Sequence, residues 1–534
     1  MDDGRAIPRL TKAELAVFVS GVASMGLEIL AGRIVAPQFG SSIYTWGSII
    51  TVFLAALSVG YWRGGKRAST HASTARLCWV LLFTAAYVAV VLFGREYLLT
   101  ATTTIPLPSR YASLPAIVLL FGPPTYLLGF ISPYAAELSS KDGVGEASGH
   151  VYALGTIGSI LGAGATTFLL IPSMSVDAIG LFFGLLLVGT ALALVVPSVP
   201  RGPVAAAVVV ALLLVVAAGS GPVAVDPRGE VVYQTQTPYQ ELEIVDSGET
   251  RTMYLDGARH SAMDLEDPDR HVFAYTRYFH LPYLYADDPD DVDRVLFVGG
   301  GGYTGPKSVL EHDPNVTVDV VEIDPEVTDA AKTYFDLEDD ERLTIHTADG
   351  RQYLEETDES YDAIVLDAYK QDAVPFELTT VEFMTLVTER LNEDGVLVAN
   401  VVSAPEGPAS EFYRSQYRTM AEPFAEVYAF RTSEANAVQN IQLVGTKDGE
   451  RLSPAQLHER NENREIGIDL HDEVDGYVAD ADVEADDAPV LEDEKAPVDA
   501  LLDPMVGQRY VIEETEDGET RESRSSTDAA RATG

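Results

Sequence analysis

Three carboxylates, Glu322, Asp349 and Asp367, each stand at or just past the end of a short apolar run in the second half of the chain. The runs are VTVDVV, LTIHT and YDAIVL, and a fourth, Val295 to Val298, ends instead in four glycines, Gly299 to Gly302. A carboxylate at such a position can accept hydrogen bonds from hydroxyls or take a proton as a general base. Glu322 falls about twenty residues after the glycine turn, the spacing that places an acid against the two hydroxyls of a ribose. A glycine turn also arises for steric reasons alone, and any one acid here could merely cap a helix. Three acids at three successive strand tips, beside one glycine turn, together point to a functional cleft.

The elements that must position them follow from periodicity. Residues from Arg294 to Asp324 have the outline of a βαβ unit, and GVLVAN supplies a fifth strand. Helix-length segments separate the strands, so the plan is a doubly wound, mostly parallel sheet whose ligands bind beyond the carboxyl ends of the strands. Ahead of it, VVYQTQ and YQELEIVDSGETRTMYLDG read as short strands, with Asp246-Ser247-Gly248 as a turn. Residues 270–286, RHVFAYTRYFHLPYLYA, read as one aromatic helix that contributes mainly to the core. Residues 475–513 look foldable, and from Glu514 the chain is charged and unpatterned, so disorder is expected.

The 534 residues carry a formal net charge of −45 although 47% are hydrophobic. The conflict dissolves once the halves are separated: residues 13–219 are mostly apolar and nearly all the acid follows. Such a surface suits concentrated salt, where screening removes most self-repulsion, and it excludes nucleic acid as a partner. The lone Cys78 lies in an apolar segment, so disulfides play no part. Seven segments are long enough to span a bilayer: 13–35, 43–62, 76–94, 111–138, 149–171, 175–196 and 203–219. The fourth, with Pro123, Pro124 and Pro133, is expected to be broken or re-entrant. Arg5, Arg9 and Lys12, with Arg63, Lys66, Arg67 and Arg76, place the N-terminus inside. Seven spans would then set the second half outside, which is awkward for an intracellular ligand, so its side is left open. Glu28 and Arg33 in the first span are expected to pair, to snorkel or to form a polar site.

The segment GVASMGLEILAGRIVAPQFGSSIYTWGSIITVFLAALSVGYWRGGKRA resembles the opening of membrane-bound spermidine synthase-like proteins, and GHVYALGTIGSILGAGATTFLLIP fits the same pattern. Gly155, Gly158, Gly162 and Gly164 in it would let helices pack closely. YQELEI, YLDG, VGGGGYTG, VEID, ADG and VLDAY then follow in the order found in polyamine aminopropyltransferases. The resemblance runs from about residue 13 to 513. It implies an N-terminal α-helical membrane bundle (1–222), a small β subdomain (226–265), an α/β Rossmann-like domain of the class I S-adenosylmethionine type (266–513) and an acidic tail (514–534). It implies transfer of an aminopropyl group from decarboxylated S-adenosylmethionine to a small-molecule amine, at a multi-pass protein of the cell membrane. In that family pattern Gln240 contacts the methylthioadenosine part, Gly299, Gly300 and Gly301 form the cofactor loop, Glu322 holds the ribose, and Asp349 with Gly350 meets the adenine. Asp367 matches the catalytic base, Tyr303 and Lys370 fall on the substrate side, and no metal is involved. The chemistry needs such a base, because an amine with an unperturbed pKa of roughly 10 is protonated at neutral pH and has no free lone pair.

The departures from the pattern concern the acceptor. Gly302 stands where spermidine synthases have aspartate, Lys370 replaces a second aspartate, Tyr275-Thr276-Arg277 replaces Tyr-His-Glu, and His260 replaces glutamine. Lys370 and Arg277 in a diamine pocket would repel putrescine; they are expected either to bind an anionic acceptor or to face solvent. Two alternatives stay open: methyl transfer from S-adenosylmethionine, and a transporter or sensor with a degenerate nucleotide-binding domain. Whether the protein is a homo-oligomer is also open.

Overall fold

The computed structural model describes residues 11–515 except 40–42, 104, 106, 108, 139–143, 198–199, 220–227, 370–373, 448 and 506–507. They form two compact units, one of N-terminal helices together with Thr235–Glu241, the other of Arg228–Gln234 and the residues from Leu242 onward.

Seven helical stretches of the first unit are long and apolar enough to cross a membrane. They comprise α1 (Lys12–Phe39), α2 (Ile43–His71), α3 (Thr74–Thr103), α4 (Ser113–Leu128) with α5 (Ile131–Glu137), α6 (Val144–Ala165), α7 (Val176–Val195) and α8 (Arg201–Gly219). Helix is the form that satisfies every backbone group of an apolar run within the run itself. The fourth stretch is interrupted, as its prolines suggested, but between Leu128 and Ile131 rather than at Pro123 and Pro124. There Gly129 lies so close to α2 that a Cβ would stand 2.9 Å from Gly60 Cα. Helices α1 and α6 approach equally closely: a Cβ on Gly158 would meet Phe18 O at 2.2 Å, and one on Gly162 would meet Val22 O at 2.3 Å. Gly164, expected in the same seam, faces open space. Arg33 donates to the main-chain oxygens of Thr237 and Pro238 at 2.9 and 2.8 Å, a backbone anchor that its place in the first span did not reveal.

The second unit opens with a meander, β1 (Glu230–Gln236), β2 (Glu241–Ser247), β3 (Thr250–Leu255) and β4 (Ala258–Asp264), turning at Gly248 and Gly257, both with positive φ. The expected helix over 270–286 is instead a 3₁₀ turn, Ala274–His280, followed by α9 (Pro282–Tyr285). Pro282 has no N–H to continue the turn before it and starts a new one.

The main sheet contains β5 (Arg294–Val298), β6 (Thr317–Glu322), β7 (Leu343–Thr347), β8 (Tyr361–Leu366), β9 (Leu391–Ser403), β10 (Glu426–Arg431), β11 (Gln439–Thr446) and β12 (Tyr477–Val478). Their order is β12-β10-β11-β9-β8-β5-β6-β7. Strands β5 to β9 run parallel, and β11, β10 and β12 extend the edge antiparallel. Helices α10 (Thr304–His312), α11 (Pro325–Tyr334), α12 (Gly350–Glu356), α13 (Val381–Arg390) and α14 (Glu411–Met420) connect successive strands, and α15 (Pro454–Asn463) and α16 (His471–Asp475) follow β11. Strands β5, β8 and β9 are almost wholly buried, consistent with their near-continuous apolar runs. Strand order reverses between β5 and β8, and a crevice opens beyond their carboxyl ends. Order extends past the expected boundary at Glu514: Thr515 N donates to Val272 O at 3.0 Å, and Glu514 pairs with Arg259 at 2.8 Å.

Candidate active site

At the switch point the loop after β5 meets the loop after β8. Asp367 N donates to Val298 O at 2.9 Å, which places the carboxylate one residue beyond β8 beside the glycine turn. Gly299 has φ 102°, and a Cβ there would lie 2.4 Å from Asp367 O. Only glycine meets both the backbone conformation and the close approach. Gly301, with φ 51°, would drive a Cβ to 2.7 Å from Ser261 Oγ. A Cβ on Gly300 would strike the Tyr303 ring at 2.7 Å, and one on Gly302 would meet Ser261 Cβ at 2.9 Å. All four glycines are thus hemmed in by protein neighbours, the steric reason that the sequence had left open beside a ligand's approach.

Glu322, at the tip of β6, holds this loop. One carboxylate oxygen accepts from Gly300 N and the other from Asp324 N, both at 2.9 Å. Burial pushes its pKa above the ordinary carboxylate range, opposed by those N–H donors. Asp349 caps α12, accepting from Gln352 N at 2.9 Å, so the capping role open to it is realised. Gly350 packs under β5, where a Cβ would stand 2.5 Å from Val298 Cγ1.

Asp367 is partly exposed to two cavities that share it and Tyr275. The first is lined by Ser261, Phe273, Tyr275, Thr276, Gly299 and Gly300 among others. The second is lined by Arg259, His260, Tyr275, Asn400, Asn440 and Tyr510 among others. Burial raises the Asp367 carboxyl to about 6, and an Nδ2–H···Oδ1 bond from Asn400 at 2.8 Å works against that rise. The carboxylate therefore titrates close to neutrality, the range that suits a proton acceptor.

The structure brings Asp367, Gly299, Gly300, Gly301 and Glu322 together, with Asp349 and Gly350 one strand further along. Tyr303 stands otherwise than expected. Its ring is fully buried under the loop and its hydroxyl meets Thr328 Oγ1 at 2.8 Å, so it supports the glycine turn and cannot face a substrate. Arg277 lines neither of these two cavities; its Nε contacts Glu473 at 2.5 Å and its Nη2 donates to Asp469 O. Lys370 lies outside the described residues. Gln240 is buried, its N–H donating to Thr237 Oγ1 at 3.0 Å within the segment that clusters with the helices. Sequence reasoning passed over Ser261, Asn400, Asn440 and Tyr510, while Tyr275 had been named within the Tyr275-Thr276-Arg277 stretch. The one legible signal was Asn400, a polar residue closing the apolar run GVLVAN.

The spermine/spermidine synthase domain matches residues 273–428. Over 212 residues the chain is 29% identical to the polyamine aminopropyltransferase of Vibrio vulnificus (strain CMCP6), covering 38% of this chain and 68% of that one. Over 199 residues it is 30% identical to the polyamine aminopropyltransferase of Chromobacterium violaceum, covering 37% of this chain and 72% of that one. A probable polyamine aminopropyl transferase of Bifidobacterium longum is 30% identical over 224 residues, with 49% of its length spanned. The chain thus spans from about half to under three quarters of these relatives. Among solved structures, a probable spermidine synthase from Corynebacterium glutamicum ATCC 13032 overlaps 51% of this chain and 99% of its own, with TM-score 0.42 and 21% identity. The fold assignment itself stands on strand order.

Proposed function

The chain belongs to the polyamine aminopropyltransferase family, and from that premise we propose that it transfers an aminopropyl group from decarboxylated S-adenosylmethionine to an amine, releasing methylthioadenosine. The helical unit would hold this enzyme in a lipid bilayer, as its seven apolar stretches suggest. The observation that carries the proposal is Asp367, half-buried beside the glycine turn and titrating near 6.

The residues fit an adenosyl sulfonium. The loop from Gly299 to Gly302 is held rigidly by Ser261, Tyr303 and Glu322, and Glu322 can extend its acceptor role to ribose hydroxyls. Asp367 adds negative charge where a sulfonium and an ammonium must both approach. The acceptor enters as an ammonium and gives one proton to Asp367. Desolvation lowers the amine's pKa while it raises the acid's, which brings the two closer. The freed lone pair attacks the methylene carbon beside sulfur, the carbon–sulfur bond breaks, and its electron pair passes to sulfur. The products are a secondary ammonium and neutral methylthioadenosine, and the proton on Asp367 leaves to solvent.

Purified protein in concentrated potassium chloride, given decarboxylated S-adenosylmethionine and a panel of amines, should release methylthioadenosine with at least one. Release with none would sink the proposal. Calorimetric titration should favour the decarboxylated compound over S-adenosylmethionine; the opposite preference would indicate methyl transfer.

A further inference from the structure

Away from this crevice, α15 and α16 bring two imidazoles and a carboxylate together. His458 on α15 places Nε2 3.1 Å from Asp475 Oδ1, and His471, one turn before Asp475 on α16, places Nε2 3.9 Å from Asp475 Oδ2. The two rings lie 4.4 Å apart between centroids. One ligand atom from each of the three residues falls within 4.8 Å of the other two. We infer that His458, His471 and Asp475 form a binding site for one divalent transition-metal ion of the zinc type.

A tetrahedral ion with bonds of about 2.0 Å holds its ligand atoms about 3.3 Å apart; His458 and Asp475 already stand at 3.1 Å, and the exposed His471, at 3.9 Å, would swing in to complete the set. Two imidazoles and a carboxylate select borderline transition ions over magnesium or calcium, which favour all-oxygen shells. Among the described residues His458 Nδ1 has no hydrogen-bond partner, so it is free to take the ring proton when Nε2, which now donates to Asp475, turns its lone pair to an ion. The outer partner that usually braces a ligating ring is missing there, which sets the affinity about 10- to 100-fold below a fully braced site. His471 and Asp475 are exposed, leaving the remaining positions to water.

An ion here would clip α15 to α16. Between His471 and Asp475 sits Glu473, whose carboxylate holds Arg277 on the 3₁₀ turn that supplies Tyr275, Thr276 and Phe279 to the first cavity. The ion would brace that wall from outside.

Full-length protein in detergent, stripped with EDTA, is titrated with Zn²⁺ in competition with a chromophoric chelator and excess Mg²⁺. The intact chain should withdraw one more equivalent than the His458→Ala and His471→Ala variants, and its thermal midpoint should rise with Zn²⁺ while theirs do not. Because the acidic surface binds cations weakly, the difference between chains is what counts. Equal withdrawal by all three chains, or none by the intact one, would reduce the cluster to histidine–aspartate ion pairs and overturn the inference.

Discussion

Asn400 Nδ2 donates to Asp367 Oδ1 at 2.8 Å, and the amide that does so is locked from behind. Its oxygen accepts from Asn440 Nδ2 at 2.9 Å and from Gln442 Nε2 at 2.7 Å, and Asn440 accepts in turn from the Tyr510 hydroxyl at 2.8 Å. With two donors on its oxygen, Asn400 has only its N–H to offer Asp367. The relay therefore stabilises the ionised form that the buried setting disfavours.

The first prediction is a pH profile. If the Asp367 carboxylate is the base, kcat/KM should rise with pH through an apparent pKa near 6 and then level off. Asn400→Ala removes the donor, and a hydrogen bond to a charged group contributes about 1.5–3 kcal/mol, so the acid limb should move up by about 1 pH unit or more. A limb that stays in place in the variant would break the link between the two residues.

Stability should run opposite to activity at the same position. The folded pKa of Asp367 is raised, so its contribution to stability is complete below the unfolded value and is lost as pH rises through about 6. Asp367→Asn should abolish turnover yet leave the protein about 1–3 kcal/mol more stable than the parent at pH 8. Denaturant unfolding at pH 4 and pH 8 measures this, and the gain should vanish at the lower pH.

Gly299→Ala should fail on two counts, a φ of 102° and a Cβ 2.4 Å from Asp367 O. The expected cost is about 2–4 kcal/mol, combining backbone strain with overpacking. Where the chain still folds, displaced Asp367 should lower kcat more than it raises KM.

A serine shared by histidines makes the second unit acid-sensitive. Ser308 Oγ meets His271 Nε2 at 2.7 Å and His280 Nε2 at 2.9 Å, all buried. Burial lowers the His271 pKa to about 3. The folded value is depressed, so this neutral ring's contribution is full above the unfolded pKa of about 6.5 and declines as pH falls from there towards about 3. Ser308→Ala leaves ring nitrogens unpaired and should cost about 2–4 kcal/mol at pH 7, read by thermal unfolding.

In the helical unit, Gly162→Leu should separate α1 from α6, because even a Cβ would stand 2.3 Å from Val22 O. Loss of the folded species on size-exclusion chromatography in detergent is the expected result; Gly164→Leu, at a position facing open space, is the control.

Local pattern determined much of this protein. Seven apolar runs, the glycines closing β5 and the acids closing β6 and β8 were legible because hydrophobic period and turn residues act over a few positions. Those residues do lie at one end of the sheet. The tertiary structure alone decided how they are held: Ser261 against the glycine loop, Thr328 on Tyr303, Glu473 on Arg277, and the Asn400–Asn440–Tyr510 relay behind Asp367. Each of these joins segments 25 or more residues apart. Which polar group meets which across such a gap is set by strand order and close packing, and by the cost of leaving a buried donor unpaired. None of those has a signature within a short window of sequence.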